Sequence, residues 1–165
     1  MYNSEFILDK LRGIASYQFG AGVGEALFPN QVNVKFSGKT GKIRSIYDGD
    51  ELIAILRPLD GYFSLTLEGA RRLIEDTSKP KYWVMASSEA APFVCEGKNL
   101  FAKHVLDADE DIRPRDEVVI VNSEWRLLAV GRAVLSGVEM KSFKSGLAVS
   151  VRRGVGKEKV NEVTL

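Results

Sequence analysis

The side chains able to do chemistry are few, and most of them stand alone. His104 is the only histidine and Cys95 the only cysteine among 165 residues. A structural metal site draws three or four ligands from His, Cys and carboxylates, so no zinc site is expected. Cys95 falls near the end of an expected helix, where the dipole raises rather than lowers a thiol's pKa, and it reads as a small buried apolar residue. His104 reads either as a hydrogen-bonded strand histidine or as a contact to a bound partner. Asp107, Asp109, Glu110 and Asp111 cluster in sequence, but the glycine and terminal glutamate of a calcium loop are missing, and a solvated loop is expected. Asp60 has no histidine or second acid at a useful spacing and reads as a turn residue. The run Gly20-Ala-Gly-Val-Gly24 follows a helical pattern rather than a strand, and no Lys-Ser/Thr comes after it. It is therefore read as a helix–helix turn and not a phosphate loop. No nucleophile–base pair is visible, so the chain is expected to be no enzyme and to hold no metal or cofactor.

The cations form the more informative set. Lys98 and Asn99 follow Gly97, the glycine expected to end a helix; such a turn lets backbone approach a phosphate while lysine supplies the charge. Lys103, Arg132, Arg152 and Arg153 fall on or beside short apolar strands. Alternation cannot place arginines on a core face, so they belong to an outer face or a rim. Each taken singly is an ordinary surface cation; together they can track phosphates. Phe101 reads as a core residue rather than a base-stacking platform. The net charge is only +1, which argues against a strongly electrostatic nucleic-acid binder. The charge is nonetheless segregated, with acids at Asp107–Asp111 and a cation excess after Gly131.

An apolar share of 45 % fits a globular chain, and 165 residues fit one or two small domains. No apolar run approaches the length of a membrane span, and the first residues lack the features of a signal peptide. A lone cysteine allows no intrachain disulfide. These features point to a cytoplasmic protein without a membrane partner.

The elements that must position these residues fall in two groups. Phe6, Ile7, Leu11 and Ile14 are spaced as in a helix, with Ser4 as its cap, and a second short helix runs from Val23 to Phe28. Strands are expected around Val32–Phe36, at Ile43–Tyr47 and Glu51–Leu56 across an Asp-Gly-Asp turn, and at Tyr62–Leu65. A helix over Leu67–Glu75, capped by Thr66, closes the first group. Thr77-Ser-Lys-Pro80 reads as a linker. The second group has strands at Lys81–Met85, Leu100–Leu106, Glu117–Val121, Arg126–Leu135 and Leu147–Val151. One helix is expected over Glu89–Cys95 and another, behind the capping box Ser136–Glu139, reaching about Lys144. This is an α+β chain with a small α+β domain over 1–78, a second domain over 79–154 and a flexible tail over 155–165.

Gly97-Lys-Asn-Leu-Phe-Ala102, Arg113-Pro-Arg-Asp-Glu-Val118 and Val130-Gly-Arg-Ala133, with the helix before them, resemble the PUA domain. That is the RNA-binding pseudobarrel, with two short helices, of pseudouridine synthases and archaeosine transglycosylases. Tyr17-Gln-Phe-Gly20, Gly24-Glu-Ala-Leu-Phe28, Ser37–Arg44 and Leu56–Ala70 resemble the small domain that precedes PUA in archaeosine tRNA-guanine transglycosylase. The likeness spans almost the whole chain and implies tRNA docking in a groove beside the first helix and second strand of the barrel. A catalytic barrel of about 250 residues does not fit here, and its activity is not carried over. The resemblance implies a non-catalytic RNA-binding protein with tRNA, or another structured RNA, and a transglycosylase catalytic subunit as partners, and no DNA. Gly97 and Asn99 would shape the loop, and Lys98, Lys103, Arg132, Arg152 and Arg153 would meet phosphates. The other reading is a protein–protein adaptor with little RNA affinity of its own, which the low net charge favours.

Overall fold

The computed structural model describes residues 4–158. The chain divides into two compact units, Met1–Lys79 and Pro80–Leu165.

The first unit follows the expected order. Helix α1 (Ser4–Phe19) takes in Ser4, the residue expected to cap it, and buries Leu11, Ala15 and Phe19. The glycine run ends it: Gly20 and Gly22 take φ of 111° and 85°, a region side chains disfavour. Helix α2 (Val23–Leu27) then packs back on α1. A Cβ on Gly24 would strike the carbonyl oxygen of Arg12, and the Gly24 amide donates to Ser16 Oγ at 3.0 Å. The glycines thus serve a helix–helix turn. Strands β1 (Asn33–Phe36), β2 (Ile43–Asp48), β3 (Glu51–Leu56) and β4 (Phe63–Leu65) form one antiparallel meander in chain order. Asp48 pairs with Glu51, so Gly49 and Asp50 make the two-residue turn expected there.

The open edge of β4 is held by a side chain that imitates a strand. Gln18 Oε1 accepts from the Phe63 amide at 2.7 Å, and Gln18 Nε2 donates to the Phe63 carbonyl at 2.9 Å. Helix α3 (Leu67–Glu75) starts at Thr66, whose Oγ1 accepts from the Gly69 amide at 3.2 Å. Arg72 fastens this helix to the hairpin and to α2, donating to Asp48 Oδ2 at 2.9 Å and to the Leu27 carbonyl at 3.0 Å. Asp60 is the turn acid it was read to be. It pairs with Arg57 at 3.0 Å and accepts from the Tyr62 amide at 3.0 Å.

The second unit is a six-stranded mixed sheet. Its strands are β5 (Trp83–Ala86), β6 (Leu100–Phe101), β7 (Val105–Ala108), β8 (Glu117–Val121), β9 (Leu127–Ala133) and β10 (Leu147–Gly154). The order is β6-β10-β9-β8-β5-β7, with β5 and β8 parallel and the other pairs antiparallel. The two outermost strands, β6 and β7, are joined by a single 3₁₀ turn, Ala102–His104. Five interstrand spacings of a flat sheet would be roughly 24 Å, whereas the four Cα steps from Phe101 to Val105 reach at most about 15 Å. The sheet must therefore curl until its edges meet, and the result is a nearly closed barrel.

The barrel core includes Val84, Val94, Leu100, Ile112, Val118, Ile120, Met140 and Val149. Helix α4 (Ala91–Cys95) and helix α5 (Gly137–Ser142) belong to this unit, and residues 156–158 at the end of the described chain are also helical. The capping box is present: Ser136 Oγ accepts from the Glu139 amide at 3.2 Å, and Glu139 Oε1 accepts from the Ser136 amide at 2.9 Å.

Several expected boundaries move. The first strand starts at Trp83 rather than Lys81 because Tyr82 takes φ 59°, its amide donating to Asp109 Oδ2 at 2.6 Å. Burial, reinforced by Asp116, Asp109 and Asp111, pushes the Tyr82 phenol up. Helix α4 starts at Ala91 rather than Glu89, since residues 87–90 form a turn in which the Ala90 amide donates to Ser87 Oγ at 3.3 Å. The single strand expected over Leu100–Leu106 is split by the 3₁₀ turn that joins the barrel's edges. Helix α5 stops at Ser142 instead of reaching Lys144. At the expected tail, the Val155 amide donates to the Leu128 carbonyl at 2.9 Å; residues 159–165 lie outside the described residues. Among the described residues, no helix is long and apolar enough to cross a membrane.

Candidate nucleic-acid interface

The loop after α4 is built by backbone geometry. Gly97 takes φ 98°. The Gly97 amide donates to the Val94 carbonyl at 2.9 Å and the Lys98 amide to the Phe93 carbonyl at 3.0 Å. This is a Schellman ending, and a glycine at its left-handed position avoids the Cβ penalty. Lys98 and Asn99 leave the helix exposed.

Two contacts fix this loop against the end of β10. Asn99 Oδ1 accepts from the Val151 amide at 2.9 Å. Gly154 lies so close to the Cys95 carbonyl that any Cβ there would collide with it. Lys98 and Asn99 are thereby brought beside the Val151–Gly154 segment, which carries Arg153. Arg153 is exposed and its residue pairs with Val130 of β9. Arg132 is opposite Ser150 on β10 and Glu117 on β8, and its Nε donates to the Arg115 carbonyl at 3.3 Å.

Lys103 is not part of this cluster. It sits in the 3₁₀ turn beyond Phe101, which pairs with Leu147 at the start of β10. It is displaced from Lys98 by five residues, on the order of 15 Å along the strand direction. The cations are thus spread over β6, β10 and, for Arg132, the neighbouring β9, rather than gathered on one loop. Such an arrangement suits a polyanion better than a single small anion.

Arg152 has a different environment from the one expected. It lies at a bulge in β10, between Val151 and Arg153. Its guanidinium makes a two-pronged pair with Glu117, Nη1 to Oε1 at 2.8 Å and Nη2 to Oε2 at 2.5 Å. The Glu117 side chain is 0 % exposed, and a buried carboxylate needs such a partner. Glu117 was missed in the sequence, although an acid opening the run Glu-Val-Val-Ile-Val was a visible signal that some cation must answer it.

Phe101 also corrects an expectation. It is 46 % exposed, while its neighbours Leu100 and Ala102 are buried. Phe93 on α4 is 60 % exposed, with only Val94 of that helix buried. Two aromatic rings therefore flank the Gly97–Asn99 loop in sequence and stay open to solvent. Strand alternation, with Leu100 inside and Phe101 outside, could have found the second of them.

The remaining candidates take structural places. His104 Nδ1 lies 3.5 Å from Ser87 Oγ, and its carbonyl accepts from the Ser87 amide at 2.8 Å. Cys95 is in no disulfide and is half-buried against the barrel core rather than fully inside it. The acidic segment is held by Lys141, which reaches Glu110 at 2.7 Å and Asp107 at 3.8 Å, and by Lys81, 3.4 Å from Asp111. The hydrogen bond to Glu110 holds the Lys141 ammonium above its ordinary pKa. No group of three His, Cys, Asp or Glu able to hold a metal occurs among the described residues.

Comparison with known proteins gives this architecture its relatives. Residues 82–155 match the PUA domain, and residues 9–80 match the patch-forming domain C2 of tRNA-guanine transglycosylase. The chain joins a transglycosylase C2 domain to a PUA domain. The tRNA-guanine(15) transglycosylase of Methanobrevibacter smithii is 48 % identical over 150 residues, 91 % of this chain. This chain spans 23 % of that relative's length. A solved hypothetical protein from Pyrococcus horikoshii superposes with a TM-score of 0.74 at 26 % identity, covering 99 % of this chain and 98 % of that one. A conserved PUA domain protein from Thermoplasma acidophilum shares the fold, with a TM-score of 0.60 at 18 % identity over 98 % of this chain and 96 % of its own.

Proposed function

We propose that this C2–PUA chain binds tRNA and positions it for a modifying enzyme in the cytoplasm, without doing the chemistry itself. The observation that carries this reading is the 48 % identity, sustained through both domains, to part of a tRNA-guanine(15) transglycosylase. The interface supports it. Lys98 is carried on the Gly97–Asn99 loop beside the β10 segment that bears Arg153, Arg132 lies on the neighbouring strand β9, Lys103 lies beyond β6, and Phe93 and Phe101 offer faces on which unpaired bases can stack. Arg152 supports the surface through Glu117. The natural catalytic partner is a transglycosylase subunit acting on the same tRNA.

Binding of tRNA by the full chain, measured by filter retention across a salt series, tests this. Four phosphate contacts give a slope of log affinity on log salt of roughly −2.8 to −3.6, the lower figure applying to single strands. The double variant Lys98→Ala/Lys103→Ala should make the slope shallower by roughly 1.4 to 1.8. Absence of tRNA retention at low salt, or a slope the variant leaves unmoved, refutes the reading. The net charge of +1 favours the adaptor alternative. That alternative predicts capture of a transglycosylase subunit by a chain that retains no RNA alone.

A further inference from the structure

The first unit holds a cavity of about 410 Å³ that the PUA interface leaves unused. It lies between α1, the β1–β2 loop and the turn after β3, and Phe6, Lys10, Phe36, Lys42, Arg44 and Arg57 line it. Its size is within the range of small-molecule sites, about 300 to 1,000 Å³.

Two kinds of group meet there. Phe6 is 60 % exposed and Phe36 47 % exposed, so both rings line the cavity and stay open to solvent. Lys10, Lys42 and Arg44 have no carboxylate partner among the described residues. Arg57 is only partly satisfied. Its Nε and Nη2 are held by Asp60 at 3.1 and 3.0 Å, while its buried Nη1 has no hydrogen-bond partner. A buried, unpaired donor on a charged group is costly and is answered by an acceptor.

The β1–β2 loop, Ser37-Gly-Lys-Thr-Gly-Lys42, looks at first like a phosphate cradle made of amides. Five of its six amides are already used. Ser37 donates to the Lys42 carbonyl and Gly41 to the Ser37 carbonyl, both at 2.8 Å. The Lys39 and Thr40 amides donate to Ser37 Oγ at 3.3 Å, and the Lys42 amide donates to Thr40 Oγ1 at 3.4 Å. An anion here would therefore be held mainly by the side-chain cations.

Aromatic faces beside unpaired cations match a base attached to a phosphate. The geometry points to a site for one unpaired nucleotide of an RNA strand, the base against Phe6 or Phe36 and the phosphate among Lys10, Lys42 and Arg44. The cavity cannot take a duplex, so the nucleotide must be splayed out of its stack. The inference rests on the RNA-binding reading for its biological role, but its chemistry can be tested separately.

Amide resonances of the full-length chain are followed while adenosine 5′-monophosphate, adenosine, inorganic phosphate or the tetranucleotide tetra-adenylate is added up to about 10 mM, enough to detect millimolar binding. The expected result is a shift at residues 36–44, 57–61 and the first turns of α1. Tetra-adenylate should bind at least about tenfold more tightly than the mononucleotide, since neighbouring phosphates meet the remaining cations. The variant Lys10→Glu/Lys42→Glu should weaken the mononucleotide about tenfold and leave adenosine unchanged. No shift at those residues overturns the proposal. So does equal affinity for phosphate and mononucleotide, which marks a plain anion site, or equal affinity for mononucleotide and tetranucleotide, which marks a free-nucleotide site. A chain that shows these shifts yet retains no tRNA refutes the tRNA reading and leaves this site standing. The variant Lys98→Ala/Lys103→Ala should weaken tRNA retention and keep the shifts.

Discussion

Arg152 separates two kinds of cation on this surface, and its replacement by alanine shows which kind it is. In the structure its guanidinium answers both oxygens of Glu117, whose side chain is 0 % exposed, while the Arg152 side chain keeps 38 % exposure. Removing one member of a fully buried pair costs about 3–5 kcal/mol, because the other charge is left without a partner or water. Water reaches the arginine side of this pair and screens part of that, so about 2–3 kcal/mol is expected for Arg152→Ala. For a unit of this size, about 4–8 °C per kcal/mol places the loss of Tm at about 10–20 °C. The salt slope of tRNA binding, measured well below the lowered Tm, should stay at its parent value on our proposal that Arg152 supports Glu117 and meets no phosphate. Glu117→Gln should do the reverse. The amide carries no charge to be stranded, so Tm falls less, and the freed guanidinium adds a phosphate contact worth roughly −0.7 to −0.9 in slope. The assays are thermal unfolding by circular dichroism and filter binding across salt. If Arg152→Ala leaves Tm unchanged and makes the slope shallower by roughly 0.7 to 0.9, the structural assignment of Arg152 is refuted.

Two further outcomes follow from local geometry. Phe101→Ala should leave Tm nearly unchanged, since the ring is 46 % exposed, and should weaken single-stranded RNA binding by about 1–3 kcal/mol if a base stacks there; a large fall in Tm with unchanged RNA affinity refutes the platform role. The Glu139 carboxyl is held below the ordinary carboxylate range by the backbone amide of Ser136 and then by its side chain. A lowered folded pKa contributes stability that is present above the unfolded-state value and is lost as pH falls through the folded one. Ser136→Ala should raise the Glu139 pKa only part of the way, because the amide survives, and should flatten the acid limb of the stability curve. A carboxyl ¹³C titration that shows no upward movement contradicts this.

Local signals in the sequence specified the elements well. Thr66 before Leu67, the Ser136–Glu139 box and the Asp48-Gly-Asp50 turn each state their structure through groups only a few residues apart. Gly97 likewise marks a left-handed helix ending that backbone sterics alone require. The cations Lys98, Lys103, Arg132 and Arg153 could be named as surface residues because strand alternation leaves them no place in a core.

Pairings across long separations were not legible. Glu117 and Arg152 stand 35 residues apart, and nothing local says that one will answer the other. Asn99 and Val151 meet across 52 residues. The break in the Leu100–Leu106 strand arises because two edges of a curled sheet must be joined within a few residues, a demand that exists only once the barrel closes. The sequence by itself determined two α+β units, their caps and turns, and a set of surface cations, because those depend on near neighbours and on which side chains water will accept. Tertiary structure alone decided which cation supports a buried carboxylate, which phenylalanine faces solvent, and that Lys10, Lys42, Arg44 and Arg57 surround one cavity. Those outcomes depend on which distant segments share a surface, and burial sets the cost of leaving any charge there unpaired.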